Sequence, residues 1–207
     1  MNFSSRAALA AIALWTIHAA PAAAQQGGPP AGKAPSEYEA PVKVGEYLRG
    51  ERHDFKDPTY GVSYQYTPSQ PADSSYATVY VYQPVHADSA WDTDRVIANE
   101  LEGFGQTLEY QRARGVYESY EVAHEGADTL RAGTHVLPGF AVRYTYRARG
   151  GGVAVSFYNV YVVGRTLVKV RGTVPESQVR KSGLPAFTRA VVAEIVQANS
   201  SAPPTTP

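Results

Sequence analysis

Enzymatic chemistry needs nucleophiles, proton carriers or metal ligands at workable spacings, and this sequence offers few. It contains no cysteine. That removes thiolate nucleophiles, thiolate zinc sites, iron–sulfur ligation, disulfides and a lipid-modified N-terminal cysteine. Beyond the first two dozen residues the histidines are His53, His86, His124 and His135, with no H-E-x-x-H pair among them. His124 sits just before Gly126-Ala127, which reads as a turn. A hairpin through Gly126 would set His124 roughly opposite His135, where the two could share a metal ion or a proton. The simpler reading of the pair is two surface histidines. No G-x-S-x-G is present, and Lys181 follows Ser177 at four residues rather than the three of S-x-x-K. Ser182 falls at a helix start, where serine is a routine cap. Gly150-Gly151-Gly152 leads into a strand, so no helix N-terminus is available there for a phosphate. The residues therefore predict neither a metal nor a cofactor.

Two less ordinary features remain. Arg143 and Arg147 share the polar side of one alternating segment, and Lys169 and Arg171 share one side of another. If Val153–Val162 runs between those segments, the four cations could share a face with Tyr158. Such a cluster would receive a carboxylate-bearing glycan, a lipid headgroup or an acidic protein loop. The competing reading is a solvated sheet face interleaved with the acids of a covering helix. The second feature is tyrosine, 15 of 207 residues. Tyr64, Tyr66, Tyr144 and Tyr146 fall on the apolar sides of their segments and are expected in the core. Tyr80 and Tyr82 oppose Val79 and Val81, so one of those sets must face outward or lie under a helix.

Composition and the chain ends say where the protein goes. Residues 1–24 combine Arg6, an apolar run from Ala7 to Ala20 and the small residues Ala22-Ala23-Ala24. This is the pattern of a secretory signal peptide, and the apolar run is shorter than the ~20 residues that span a bilayer. The expected location is periplasmic or secreted, with no transmembrane segment after cleavage. Lys plus Arg and Asp plus Glu both total 19. Nucleic-acid binding, which needs a basic excess to displace counterions, is not expected. Residues 25–59 read as a flexible linker, rich in Pro and Gly and then in charge, with at most one amphipathic turn near 42–57. Residues 200–207 read as a disordered tail. The domain between them, 60–199, must be stable without disulfides.

Within that domain most segments alternate with period two. Tyr60–Pro68, Ala77–Gln83, Phe140–Arg147, Val153–Val162 and Thr166–Arg171 predict strands, the last three an antiparallel meander closed at Gly164-Arg165. Tyr117–His124 and Thr129–Leu137 predict two more. Asp88–Arg112 carries Ile97, Leu101, Phe104 and Leu108 at helical spacing, with Ser89 and Asp92 resembling a capping box. Leu184–Ala198 repeats that spacing with Leu184, Phe187, Val191 and Ile195. The expected class is α+β, an antiparallel sheet with two amphipathic helices packed on it as an α/β/α-type sandwich.

The glycine-to-proline strand Gly61–Pro68, a second strand leading into the Trp91–Arg112 helix, the Asn159–Arg171 meander and a closing helix resemble the Mog1/PsbP-like fold. Proteins of that fold include a nuclear GTPase-binding factor, a photosystem accessory subunit and many exported bacterial proteins. The resemblance implies a small non-enzymatic binding or accessory module and transfers no functional residue. The expected function is an exported accessory protein of the cell envelope. Its partner would be a protein or an anionic envelope component, met through the sheet face or loops. The alternatives are an envelope hydrolase whose site is assembled in three dimensions, and a small-ligand carrier. Oligomeric state has no sequence signal here.

Overall fold

The pleat of one sheet organises the molecule. The computed structural model describes residues 34–70, 74–84 and 91–200. Eight strands, β1 (Lys43–Val44), β2 (Tyr47–Asp54), β3 (Val62–Pro68), β4 (Tyr76–Tyr82), β5 (Tyr117–Ala132), β6 (His135–Ala148), β7 (Val153–Val163) and β8 (Thr166–Pro175), form an antiparallel sheet in the order β1-β2-β3-β4-β8-β7-β6-β5. Helix α1 (Thr93–Ala113) and helix α2 (Leu184–Ser200) complete it. Alternate residues of the central strands β6, β7 and β8 feed two different cores. On one face Tyr64, Tyr66, Val79, Val168 and Val170 pack with Phe187, Val191 and Ile195 of α2. On the other, Val142, Tyr144, Tyr158 and Val160 pack with Phe104 and Leu108 of α1. The molecule is the α+β sandwich that period-two strands flanked by two helical stripes require.

From β3 to α2 the elements follow the expected sequence of strand, strand, helix, antiparallel strands, helix. Three expectations are corrected. First, residues 34–59 are not linker: β2 pairs with β3, with Tyr47 opposite Pro68 and Asp54 opposite Val62. Only Tyr47 of β2 is buried, so no apolar alternation marks the strand. Polar bonds hold the segment, together with the core side chains Tyr38, Ala40, Val44 and Tyr47. The Tyr64 phenol donates to the Tyr38 carbonyl at 2.5 Å, and the Tyr66 phenol to that of Pro41 at 2.6 Å. Arg52 binds Glu39 at 2.9 Å and the Ser36 carbonyl at 2.6 Å. Second, Gly126 is no turn. It lies inside β5 opposite Ala141, and β5 runs on to Ala132, where it pairs with His135. Third, the cap of α1 is Asp92, whose carboxylate accepts from the backbone N–H groups of Asp94 (3.0 Å) and Arg95 (3.2 Å). The signal segment, the linker before Ala34, Ser89, His86 and the tail beyond Ser200 lie outside the described residues. Asn199, expected just past the end of α2, is inside it, and its amide donates to the Glu39 carbonyl at 2.9 Å.

Candidate functional site

The four-cation cluster is divided by the pleat. Strand β7 does run between β6 and β8, as expected. The register, however, sets Tyr158 opposite Val142 on one side and Arg171 on the other, and sets Arg143 opposite Phe157. Side chains alternate faces along a strand. Lys169, Arg171 and Tyr158 therefore share the α1 face, and Arg143 and Arg147 project from the α2 face, both exposed. The sequence could place each pair on its own strand. It could not fix the relative register, and a slip of one residue reverses every side chain.

Lys169 and Arg171 are built into a tyrosine strip. The Lys169 ammonium lies 4.5 Å from the ring centroid of Tyr82, 5.2 Å from Tyr80 and 5.9 Å from Tyr158, within cation–π range of all three. Burial holds its pKa below the usual lysine value, Glu100 opposing that shift and Arg171 adding to it. The Tyr82 phenol donates to Glu100 of α1 at 2.5 Å. One Arg171 nitrogen donates to the phenols of Tyr117 (2.8 Å) and Tyr144 (3.1 Å). Tyr158 itself is buried beneath Phe104, with ring centroids 4.2 Å apart. It serves as a wall of the strip and not as a contact surface.

The strip borders open sheet. Helix α1 packs mainly on β5, β6 and β7 and reaches β4 through the Tyr82–Glu100 bond, so its cover thins toward β3 and β2. There Tyr76, Thr78, Tyr80, Tyr82, Lys169 and Arg171 are half-buried, and Gln65 and Thr67 are exposed. The question left by Val79, Val81, Tyr80 and Tyr82 resolves the same way. The valines enter the α2 core and the tyrosines form this rim. The signal available in the sequence was two cations at i and i+2 on a strand whose neighbour carries two tyrosines at the same spacing.

The histidines do not meet. His124 pairs with Arg143 in the middle of the β5–β6 ladder and His135 with Ala132 at its hairpin end, eight β5 positions away. Among the described residues no three His, Asp or Glu side chains converge as metal ligands. His124 instead borders a hollow of about 260 Å³ with Asp128, Asn159 and Arg189. Its charged groups are already engaged. Asp128 accepts from the Tyr161 phenol at 2.5 Å, from the Thr129 N–H at 2.8 Å and from Arg189. Burial would raise the Asp128 pKa, but the bonds from Arg189 and Tyr161 outweigh it, and the carboxyl titrates below its ordinary value. A depressed carboxyl stabilises the fold above its unfolded pKa and loses that contribution as pH falls through the folded one. Asp128→Asn is therefore expected to lower the melting temperature at pH 7. The gap to the parent should close as pH is lowered below about 4; a gap independent of pH would contradict the assignment.

No family model matches the chain, and no curated protein matches it. Solved structures do. The cyanobacterial PsbP (CyanoP) of Synechocystis is similar at 13% identity, covering 82% of this chain and 96% of that one, with a TM-score of 0.49. The Saccharomyces cerevisiae Ran-binding protein Mog1p is similar at 17% identity, covering 67% and 76%, with a TM-score of 0.33. A protein of unknown function from Pseudomonas aeruginosa is similar at 10% identity, covering 69% and 91%, with a TM-score of 0.35.

Proposed function

We propose that this chain is an exported, non-enzymatic accessory module of the cell envelope. It engages a carboxylate-bearing protein or other anionic envelope component through the sheet face at the margin of α1. One observation carries the reading: Lys169 and Arg171 stand together, half-buried, in a tyrosine-walled strip at the margin of α1, where the helix gives way to β4 and β3. Cations with part of their hydration removed attract carboxylates more strongly than cations in open water. Tyrosines supply contact area at low entropic cost. The interior is plugged by Tyr64, Tyr66, Tyr144 and Tyr161, which weighs against the carrier alternative. Asp128, Arg189, Glu100 and Arg171 are engaged in structural bonds, and among the described residues no three His, Asp or Glu side chains converge, which weighs against the hydrolase. Export is supported by the pattern of residues 1–24, and no helix among the described residues is long and apolar enough to cross a membrane.

The purified protein is expected to bind immobilised poly-L-glutamate, and Lys169→Glu to weaken that binding about tenfold. Arg143→Glu with Arg147→Glu, on the opposite face, should leave binding nearly unchanged. Equal losses in both variants, or none in Lys169→Glu, would remove the site. The exported protein should begin at Gln25 by mass spectrometry, and an uncleaved terminus would remove the export reading.

A further inference from the structure

We propose that the free edge of β5, with the apolar groove between β5 and α1, receives an extended lysine- or arginine-bearing peptide as a ninth strand. This surface is at the β5 edge, three strands from Lys169 and Arg171 on β8. The sheet order ends at β5, and β5 is paired on one side only among the described residues. An unpaired edge presents a row of backbone donors and acceptors. Proteins that reject such pairing use short, bulged or charged edges. β5 is bulged between Tyr117 and Ser119 and between Val122 and His124, but from His124 to Ala132 its register is unbroken. That gives nine residues of regular ladder, of which Thr129 already has its N–H and carbonyl engaged by Asp128 and Arg189; His124–Asp128 before it is still long enough to accept a peptide strand.

A groove of about 460 Å³, with Leu101, Phe104 and Leu108 of α1 and Tyr120 and Val122 of β5 as its floor, runs beside the bulged stretch of β5 and meets the regular ladder at Glu125. Val122 is 40% exposed and continues the apolar floor out to the strand edge. Glu102 and Glu125 border the groove, and Glu118 and Glu121 stand along the same edge. None of these four joins an ion pair among the described residues. Arg143 and Arg147 lie one strand inward on the other face.

Charge selects the occupant. A second copy pairing edge to edge would oppose Glu118, Glu121, Glu125 and Asp128 with their own counterparts. No Lys or Arg lies between Gly115 and Leu130 to relieve that. The chain's own segments outside the described residues carry only Arg6 and Lys33 as cations, too few to match. A strand with apolar side chains toward the groove and cationic ones among the glutamates satisfies both the edge and the charge.

The test uses the purified full chain and a fluorescent heptapeptide alternating lysine and valine. Binding is expected, about tenfold weaker for the glutamate–valine counterpart and about tenfold weaker after Glu102→Lys with Glu125→Lys. Both substituted residues are exposed, so the thermal melt should be unchanged. Methylating alternate backbone nitrogens of the lysine peptide should also weaken binding about tenfold, because charge is kept and the ladder is lost. Hydrogen exchange within residues 124–132 should slow with the unmethylated peptide. Equal binding of the methylated peptide would show attraction by charge alone and overturn the proposal. So would unchanged exchange in 124–132, or a β5-dependent dimer in sedimentation.

Discussion

Gly61→Ala is expected to lower the melting temperature by roughly 10–15 °C, the largest effect of any single methyl group in this fold. Gly61 holds a φ of +62° at the entrance to β3. A Cβ built there would lie 1.9 Å from the Val81 carbonyl oxygen and 2.7 Å from the Pro35 Cβ. The left-handed backbone alone costs an L-residue ~1–2 kcal/mol. The contact with Val81 involves main chain of the paired strand β4, which cannot rotate away, so β3 and β4 must separate or Pro35 must lift. Overpacking of that kind adds ~1–3 kcal/mol, for a total of about 2–5 kcal/mol. Gly45→Ala is the control. Gly45 has nearly the same φ, +56°, and a Cβ there meets nothing within 4 Å, so only the backbone contribution of ~1 kcal/mol should register. Calorimetry of the two variants decides between them: equal losses would mean that the approach to Val81 contributes nothing.

Gly61 also marks what the sequence made legible. A glycine followed by strict alternation up to Pro68 could be read as a strand entered through a special backbone position, and β3 is that strand. The same logic recovered β4, β7, β8 and both helices, because each has one face that must be dry and therefore repeats. It failed where burial does not repeat. β2 contributes one buried side chain and is held by phenols and guanidinium groups reaching to carbonyls distant in sequence. β5 lies at an edge with most of residues 118–129 exposed, so no pattern survives there and Gly126 reads as a turn when it is simply the inside of a long strand. The candidate site failed in the same manner. Both halves of the cation cluster were visible, but whether Arg143 stands with Arg171 depends on a register set across β7, and a chain of alternating residues is consistent with either parity.

Arg171→Leu is expected to destabilise the protein by about 2–3 kcal/mol, whereas Lys169→Met should leave the melting temperature unchanged or raise it by a few degrees. The two cations are neighbours on one face of β8, yet their surroundings ask opposite things of them. Arg171 donates to two phenols whose residues, Tyr117 and Tyr144, are 2% and 0% exposed. Removing the donor leaves buried oxygens short of a partner at ~1–3 kcal/mol apiece. A Tyr117–Tyr144 side-chain hydrogen bond compensates in part. Lys169 has rings around it, and its depressed pKa states that the folded protein disfavours its charge relative to the unfolded chain. In the sign convention of proton linkage, such a lysine costs stability at neutral pH and costs less as pH rises through the folded pKa. Combining Arg171→Leu with Tyr117→Phe and Tyr144→Phe should recover at least half of the loss, since an apolar set has nothing left unsatisfied; purely additive losses would overturn the role assigned to Arg171. The contrast bears on function. Arg171 is explained by the phenols it braces, whereas Lys169 is held by ring faces alone, which leaves its ammonium the group of the pair suited to the anionic partner it is proposed to meet.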